Sequence, residues 1–218
     1  RNQTMKLSYR VRSGASPQGK PRVYLTGHPA DLPACSKDII TDILKTQNCA
    51  IYYDEEPGQP FAREELSRLL EQTQLIVIPV TLRFLFLPNR ARDIEFPFAM
   101  ERHIPVLPLT REQGLEAEFN RICGDLQMLN KNDPDPTALP YAEKLEKFLS
   151  SVLVGDELAR KVRAAFDAYV FLSYRKKDRG YARELMRLIH KNEFCRDIAI
   201  WYDEFLVPGE NFNQAIAD

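Results

Sequence analysis

Two stretches of this 218-residue chain set carboxylates ahead of a Pro-Gly turn. The first runs Ala50-Ile51-Tyr52-Tyr53-Asp54-Glu55, then Pro57-Gly58 and Phe61. The second runs Ala199-Ile200-Trp201-Tyr202-Asp203-Glu204, then Pro208-Gly209 and Phe212. Glycine admits positive φ and proline fixes its own φ, so each Pro-Gly pair predicts a shaped loop. A plain turn accounts for Pro-Gly but not for the repeated Tyr-Asp-Glu before it, which makes both loops functional candidates. Ser173, Tyr174 and Arg175 close an apolar run and reach the strand end where open α/β sheets bind ligands. Arginine pairs with phosphate and tyrosine stacks on bases. A core tyrosine and a solvated basic loop, with Lys176 and Lys177 following, explain the same residues. His28 holds the matching place in the first half and reads as a polar loop residue. Glu95 falls near the start of an expected helix, where a carboxylate suits the helix dipole even when merely solvated.

Other chemistries find no support. Neither GxGxxG nor GxxxxGK[ST] occurs, which disfavours a fingerprint dehydrogenase and a P-loop NTPase. Cys35, Cys49, Cys123 and Cys195 form no CxxC and no metal-finger spacing, and three scattered histidines supply no HxxxH pair, so no metal is expected. Isolated cysteines with apolar neighbours behave as small buried hydrophobes, and the chain reads as one from a reducing, cytoplasmic setting. Thirty Lys and Arg against thirty-one Asp and Glu give a net charge of −1, which argues against a nucleic-acid coat or a polybasic membrane anchor. The longest apolar runs, such as Leu75 to Val80, are too short for a bilayer, and no leader is read at the start.

The elements that must position these residues follow from periodicity. Residues 1–21 read as an N-terminal arm with a short strand at Lys6 to Val11. Arg22 to Thr26 is a buried strand. Ser36 is placed to cap a helix with Ile39, Ile40, Ile43 and Leu44 on one face. Cys49 to Tyr53 is a second strand, followed by a helix with Leu66, Leu69 and Leu70 inward. Leu75 to Val80 is uninterruptedly apolar, as a parallel strand covered on both faces must be. A helix over Asp93 to Arg102, with Pro97 in its first turn, leads to a fourth strand at Ile104 to Leu109. Gly124 to Lys131 is the candidate fifth strand, and Tyr141 to Val154 a closing helix. This alternation predicts an α/β domain at 22–154 with a five-stranded parallel sheet and helices on both faces.

After a linker helix at 155–166 the pattern restarts. Ala168 to Tyr174 is a strand, Tyr181 to His190 a helix and Ile198 to Tyr202 a strand. The two halves repeat at an offset of about 150 residues, too long for a solenoid period, so the chain reads as a tandem duplication. The second copy, 167–218, holds only the first half of such a domain, and two strands with one helix bury too little to stand alone. The expectation is a fragment of a longer protein, the alternative being a half-domain completed by another molecule.

Ala168 to Asp178 (AYVFLSYRKKD) resembles the first sequence box of Toll/interleukin-1 receptor (TIR) domains, and Trp201 to Phe212 (WYDEFLVPGENF) resembles the second, the BB loop. The first copy is similar but divergent. It keeps Tyr53-Asp54-Glu55 and Pro57-Gly58 but carries Thr26-Gly27-His28 in place of the first box, and its Glu95-x-x-x-Ala99 then Ile104-Pro105-Val106 resembles bacterial-type TIR domains. The resemblance implies a flavodoxin-like fold for both copies. It implies NAD as a substrate rather than a bound cofactor, with Glu95 beside the ribose as the catalytic carboxylate. Loss of nicotinamide builds oxocarbenium character on the ribose, which a nearby carboxylate stabilises. The second copy's own glutamate would fall past Asp218. Contacts to NAD would come from Ser173, Tyr174, Arg175, Trp201 and Asp203. The loop residues Asp54, Pro57, Gly58, Phe61, Pro208, Gly209 and Phe212 would serve the BB loops.

Two functions stay open on this reading. One is NAD cleavage at the nicotinamide–ribose bond, by hydrolysis or cyclisation, in bacterial defence signalling. The other is a non-catalytic scaffold or adaptor that associates with other TIR domains and with itself through the BB loop. A response-regulator receiver ranks below both, because Thr26-Gly27 and Ser173-Tyr174 stand where its acidic pair would be.

Overall fold

The computed structural model describes residues 5–153. They form an α/β domain around a six-stranded, mostly parallel sheet. The strands are β1 (Leu7–Arg10), β2 (Arg22–Leu25), β3 (Ala50–Asp54), β4 (Leu75–Pro79), β5 (Val106–Thr110) and β6 (Leu129–Asn130). Their spatial order is β1-β3-β2-β4-β5-β6. β1 runs antiparallel to β3, with Tyr9 opposite Tyr52, and every other pairing is parallel. The five parallel strands thus follow the order β3-β2-β4-β5-β6, which is compatible with a flavodoxin-like sheet.

The core follows from composition. All five residues of β4 and all five of β5 are buried, as central parallel strands flanked by helices require. Tyr24, Leu25 and Ile51 fill the layer beside them. Burying apolar surface at roughly 25 cal/mol per Å² makes these strands the main source of stability.

The helices are α1 (Leu32–Thr46), α2 (Arg63–Glu71), α3 (Leu82–Phe86), α4 (Phe96–Glu101), α5 (Glu116–Cys123) and α6 (Tyr141–Val152). None of the described helices is long and apolar enough to cross a membrane. α1 buries Ile39 and Ile43, α2 buries Leu66, Leu69 and Leu70, and α6 buries Leu145, Leu149 and Val152. Those are faces the periodicity predicts.

Several elements depart from the sequence reading. The sheet has six strands where five are expected, because the short strand read at Lys6 to Val11 is present as β1 and joins the sheet edge antiparallel to β3. Met5 is buried there, and its N–H donates to Glu65 Oε2 at 3.0 Å. Ser36 does not cap α1. The helix starts four residues earlier with Pro33 in its first turn, and Ser36 Oγ donates back to Leu32 O within the helix. α3 and α5 answer to no predicted element. Gly124, expected to open a strand, instead ends α5 with φ 73°, and the fifth parallel strand shrinks to Leu129–Asn130. Cys49 and Cys123 are buried as expected, and burial pushes both thiols up to about 12, while Cys35 is half-buried.

The helix before β5 begins with a π-helical turn, Ala91–Glu95, in which Phe96 N–H reaches Ala91 O. Pro97 follows in the first turn of α4. In a regular α-helix its ring would meet the carbonyl of Asp93, and the wide turn relieves that conflict.

Candidate functional site

β2, β3 and the π turn converge on one buried cluster of charges. Thr26 follows the last residue of β2, and Asp54 is the last residue of β3. Glu95 ends the π turn and is fully buried. Its Oε1 accepts a hydrogen bond from Thr26 Oγ1 at 2.7 Å. Arg90 Nε lies 3.5 Å from the same oxygen. The same guanidinium donates through Nη2 to Asp54 Oδ2 at 3.0 Å and to the Tyr24 hydroxyl at 3.5 Å. The Arg90 side chain is only 8% exposed, so this is an interior ion pair, and Phe61 stacks over it with 5.0 Å from ring centroid to guanidinium carbon.

Local sequence explains each placement. The π turn puts Arg90 and Glu95, five residues apart, on one face, which a 3.6-residue helix does not do. Asp54 serves two partners. Its Oδ1 accepts Glu56 N–H at 3.0 Å and starts the following loop, while Oδ2 holds Arg90. Pro57 is half-buried and Gly58 exposed. Gly58 is not among the glycines with positive φ, and a Cβ there would meet nothing closer than 4.0 Å. The loop therefore does not use glycine's conformational freedom, contrary to the sequence reading, because the Asp54 side chain initiates its turn.

Electrostatics sharpen the picture. Burial pushes the Glu95 carboxyl above its ordinary value, against the opposing pull of the Arg90 cation and of the Thr26 and Tyr24 hydroxyls. Burial and the nearby Glu95 likewise hold the Tyr24 phenol well above its usual range, so it stays protonated. Glu95 Oε2 and Arg90 Nη1 are both buried without a hydrogen-bond partner among the described residues. As it stands, the carboxylate is fully enclosed by protein, out of reach of solutes.

The loops at the ends of β2 and β4 are tied beside this cluster. A Cβ on Gly27 would lie 3.0 Å from Pro79 Cγ, so the two loops touch there. Asp31 receives Thr81 Oγ1 at 2.5 Å and Arg83 Nη1 at 2.8 Å. His28 Nδ1 accepts Ala30 N–H at 3.1 Å, the turn role expected of it.

Of the candidates read from sequence, the structure brings Glu95, Asp54 and Phe61 together around Arg90 and leaves Pro57 and Gly58 in the loop beside them. Ser173, Tyr174, Arg175, Trp201, Asp203, Pro208, Gly209 and Phe212 lie outside the described residues. Sequence reasoning missed Arg90 and Tyr24. Nothing in an α-helical pattern pairs Arg90 with Glu95, and Tyr24 reads as an ordinary strand aromatic. No protein-family model matches the chain, and no curated protein matches it significantly.

Proposed function

We propose that the chain is an intracellular signalling protein of the TIR type, and that its described domain works by protein association rather than by cleaving NAD. The strand order supports a flavodoxin-like fold for this copy. The observation that carries the association reading is the sealing of Glu95. A carboxylate that stabilises a ribose cation must touch the ribose, and this one is enclosed by Thr26, Tyr24 and Arg90. Arg90 also brings a positive charge to the place where positive charge would build, which opposes that chemistry. The partners are other TIR domains, including further copies of this chain, met through the two Pro-Gly loops.

NAD cleavage remains the second reading, carried by the match of Ser173-Tyr174-Arg175 and Trp201 to Phe212 to the two sequence boxes. Sedimentation velocity on the chain, paired with release of nicotinamide from NAD, separates the readings. Association predicts concentration-dependent sedimentation that weakens in Pro208→His or Gly209→Arg, with no nicotinamide release traceable to Glu95. Release that disappears in Glu95→Gln would return catalysis to the described domain and overturn the association reading.

A further inference from the structure

A second feature takes no part in the Glu95 cluster. It is an open cavity of about 220 Å³ at the carboxyl ends of β4 and β5, bounded by α1, the residue after β6 and the start of α6. Ligand sites of open α/β sheets occupy this end of the strands. The volume falls below the roughly 300–1,000 Å³ of pockets for drug-sized ligands, so it suits a small metabolite and not a dinucleotide.

Its walls divide by chemistry. Ala34, Ile39, Pro79, Val80 and Leu109 give an apolar surface. Arg111 and Lys131 bring two cations, and Asp31, Asp42 and Glu112 bring three carboxylates. Asp31 is committed to Thr81 and Arg83, as described above. Two cations and two carboxylates are left to face a ligand. The cations are held by exposed pairs, and Lys131 Nζ also stands 5.8 Å from the centroid of the Tyr141 ring. Arg111 Nη2 meets Asp38 Oδ2 at 2.6 Å and is 46% exposed, and Lys131 Nζ meets Asp42 Oδ2 at 2.9 Å and is 36% exposed. Exposed pairs of this kind exchange partners at little cost. Tyr141 adds a hydroxyl that burial and Asp42 push up to about 12, so it remains a donor at neutral pH.

The geometry points to a binding site for a small zwitterion with an apolar body, the chemistry of an apolar α-amino acid. The ligand carboxylate displaces Asp38 and Asp42 from Arg111 and Lys131. The ligand ammonium takes the freed Asp42, with Glu112 beside it. The side chain covers Ile39, Val80 and Leu109. A purely anionic ligand would leave the two carboxylates facing like charge, and a purely cationic one would do the same to Arg111 and Lys131. The inference does not depend on the association reading, because none of these residues belongs to the Pro-Gly loops.

Isothermal titration calorimetry on the chain tests it, with L-leucine, L-valine, L-methionine and L-phenylalanine as probes. 4-Methylpentanoate lacks the ammonium, isopentylamine lacks the carboxylate and glycine lacks the body. At least one of the four amino acids is expected to bind saturably, and each truncated probe to bind about tenfold or more weakly, the loss of one charge-assisted contact. Ala34→Trp fills the cavity from an exposed helix position and should abolish binding with an unchanged circular dichroism spectrum. Arg111→Gln, at an exposed side chain, should weaken binding by about tenfold or more even if the tryptophan variant misfolds. Absence of binding by all four amino acids, equal binding of a singly charged probe, or full binding by Arg111→Gln would overturn the proposal.

Discussion

The cluster around Glu95 and the cavity beside α1 both lie at the carboxyl ends of parallel strands, and both are built from carboxylates and arginine or lysine. They differ in burial. Around Glu95 the guanidinium of Arg90 is 8% exposed and its partners less, so each charge depends on the others for compensation. Beside α1 the pairs Arg111–Asp38 and Lys131–Asp42 stand at the surface, where water compensates whichever partner leaves. The same residue types thus make a lock in one place and an exchangeable rim in the other. The lesson for function is that a carboxylate at the expected position is not a reactive one until solvent and substrate reach it.

The largest effect that would break this contrast is loss of Arg90. Arg90→Met removes the cation and leaves Glu95 and Asp54 buried without it, and the expected cost is about 3–5 kcal/mol in urea unfolding. A loss near zero would mean that the interior pair is as exchangeable as the surface ones.

Glu95→Gln probes the same lock by pH. Burial raises the Glu95 carboxyl above its ordinary 4.5 in the folded chain, so the folded state holds that proton more tightly than the unfolded one. The stability it contributes is complete below 4.5 and is lost as pH rises through the raised value. The unfolding midpoint of the wild type should therefore fall relative to Glu95→Gln as pH rises above about 4.5. Parallel midpoint curves for the two proteins would count against the raised carboxyl.

The smallest effect is expected at the rim. Asp42→Asn removes the partner of Lys131 at a half-exposed position, and the change in stability should stay within about 1 kcal/mol and shrink further in salt. A larger, salt-insensitive loss would place this pair with the buried ones.

Legibility in the sequence followed the same division between repeated pattern and single contact. β4 was plain, because five consecutive buried residues need five consecutive apolar ones. α2 and α6 were plain from the spacing of their leucines. α3 was not, since a five-residue helix capped by Thr81, whose Oγ1 accepts Phe84 N–H, leaves Leu82 and Phe86 exposed and shows no stripe. α5 buries only Phe119 and Cys123, and its strongest signal was Gly124 at its end, which reads equally well as the start of a strand. Asp54 and Glu95 were visible as candidates, while their shared partner was not.

Periodicity and composition were enough for the α/β class, the parallel core and the loop after β3, because each rests on many residues repeating one preference. The pairing of Arg90 with Glu95, the closure of Thr26 and Tyr24 over that carboxylate, and the cavity walled by residues from α1, β4, β5 and α6 came from the folded chain alone. They join residues from 5 to 69 positions apart in one case and across four elements in the other. Such contacts are made by a π turn and by the packing of strands, neither of which leaves a periodic trace along the chain.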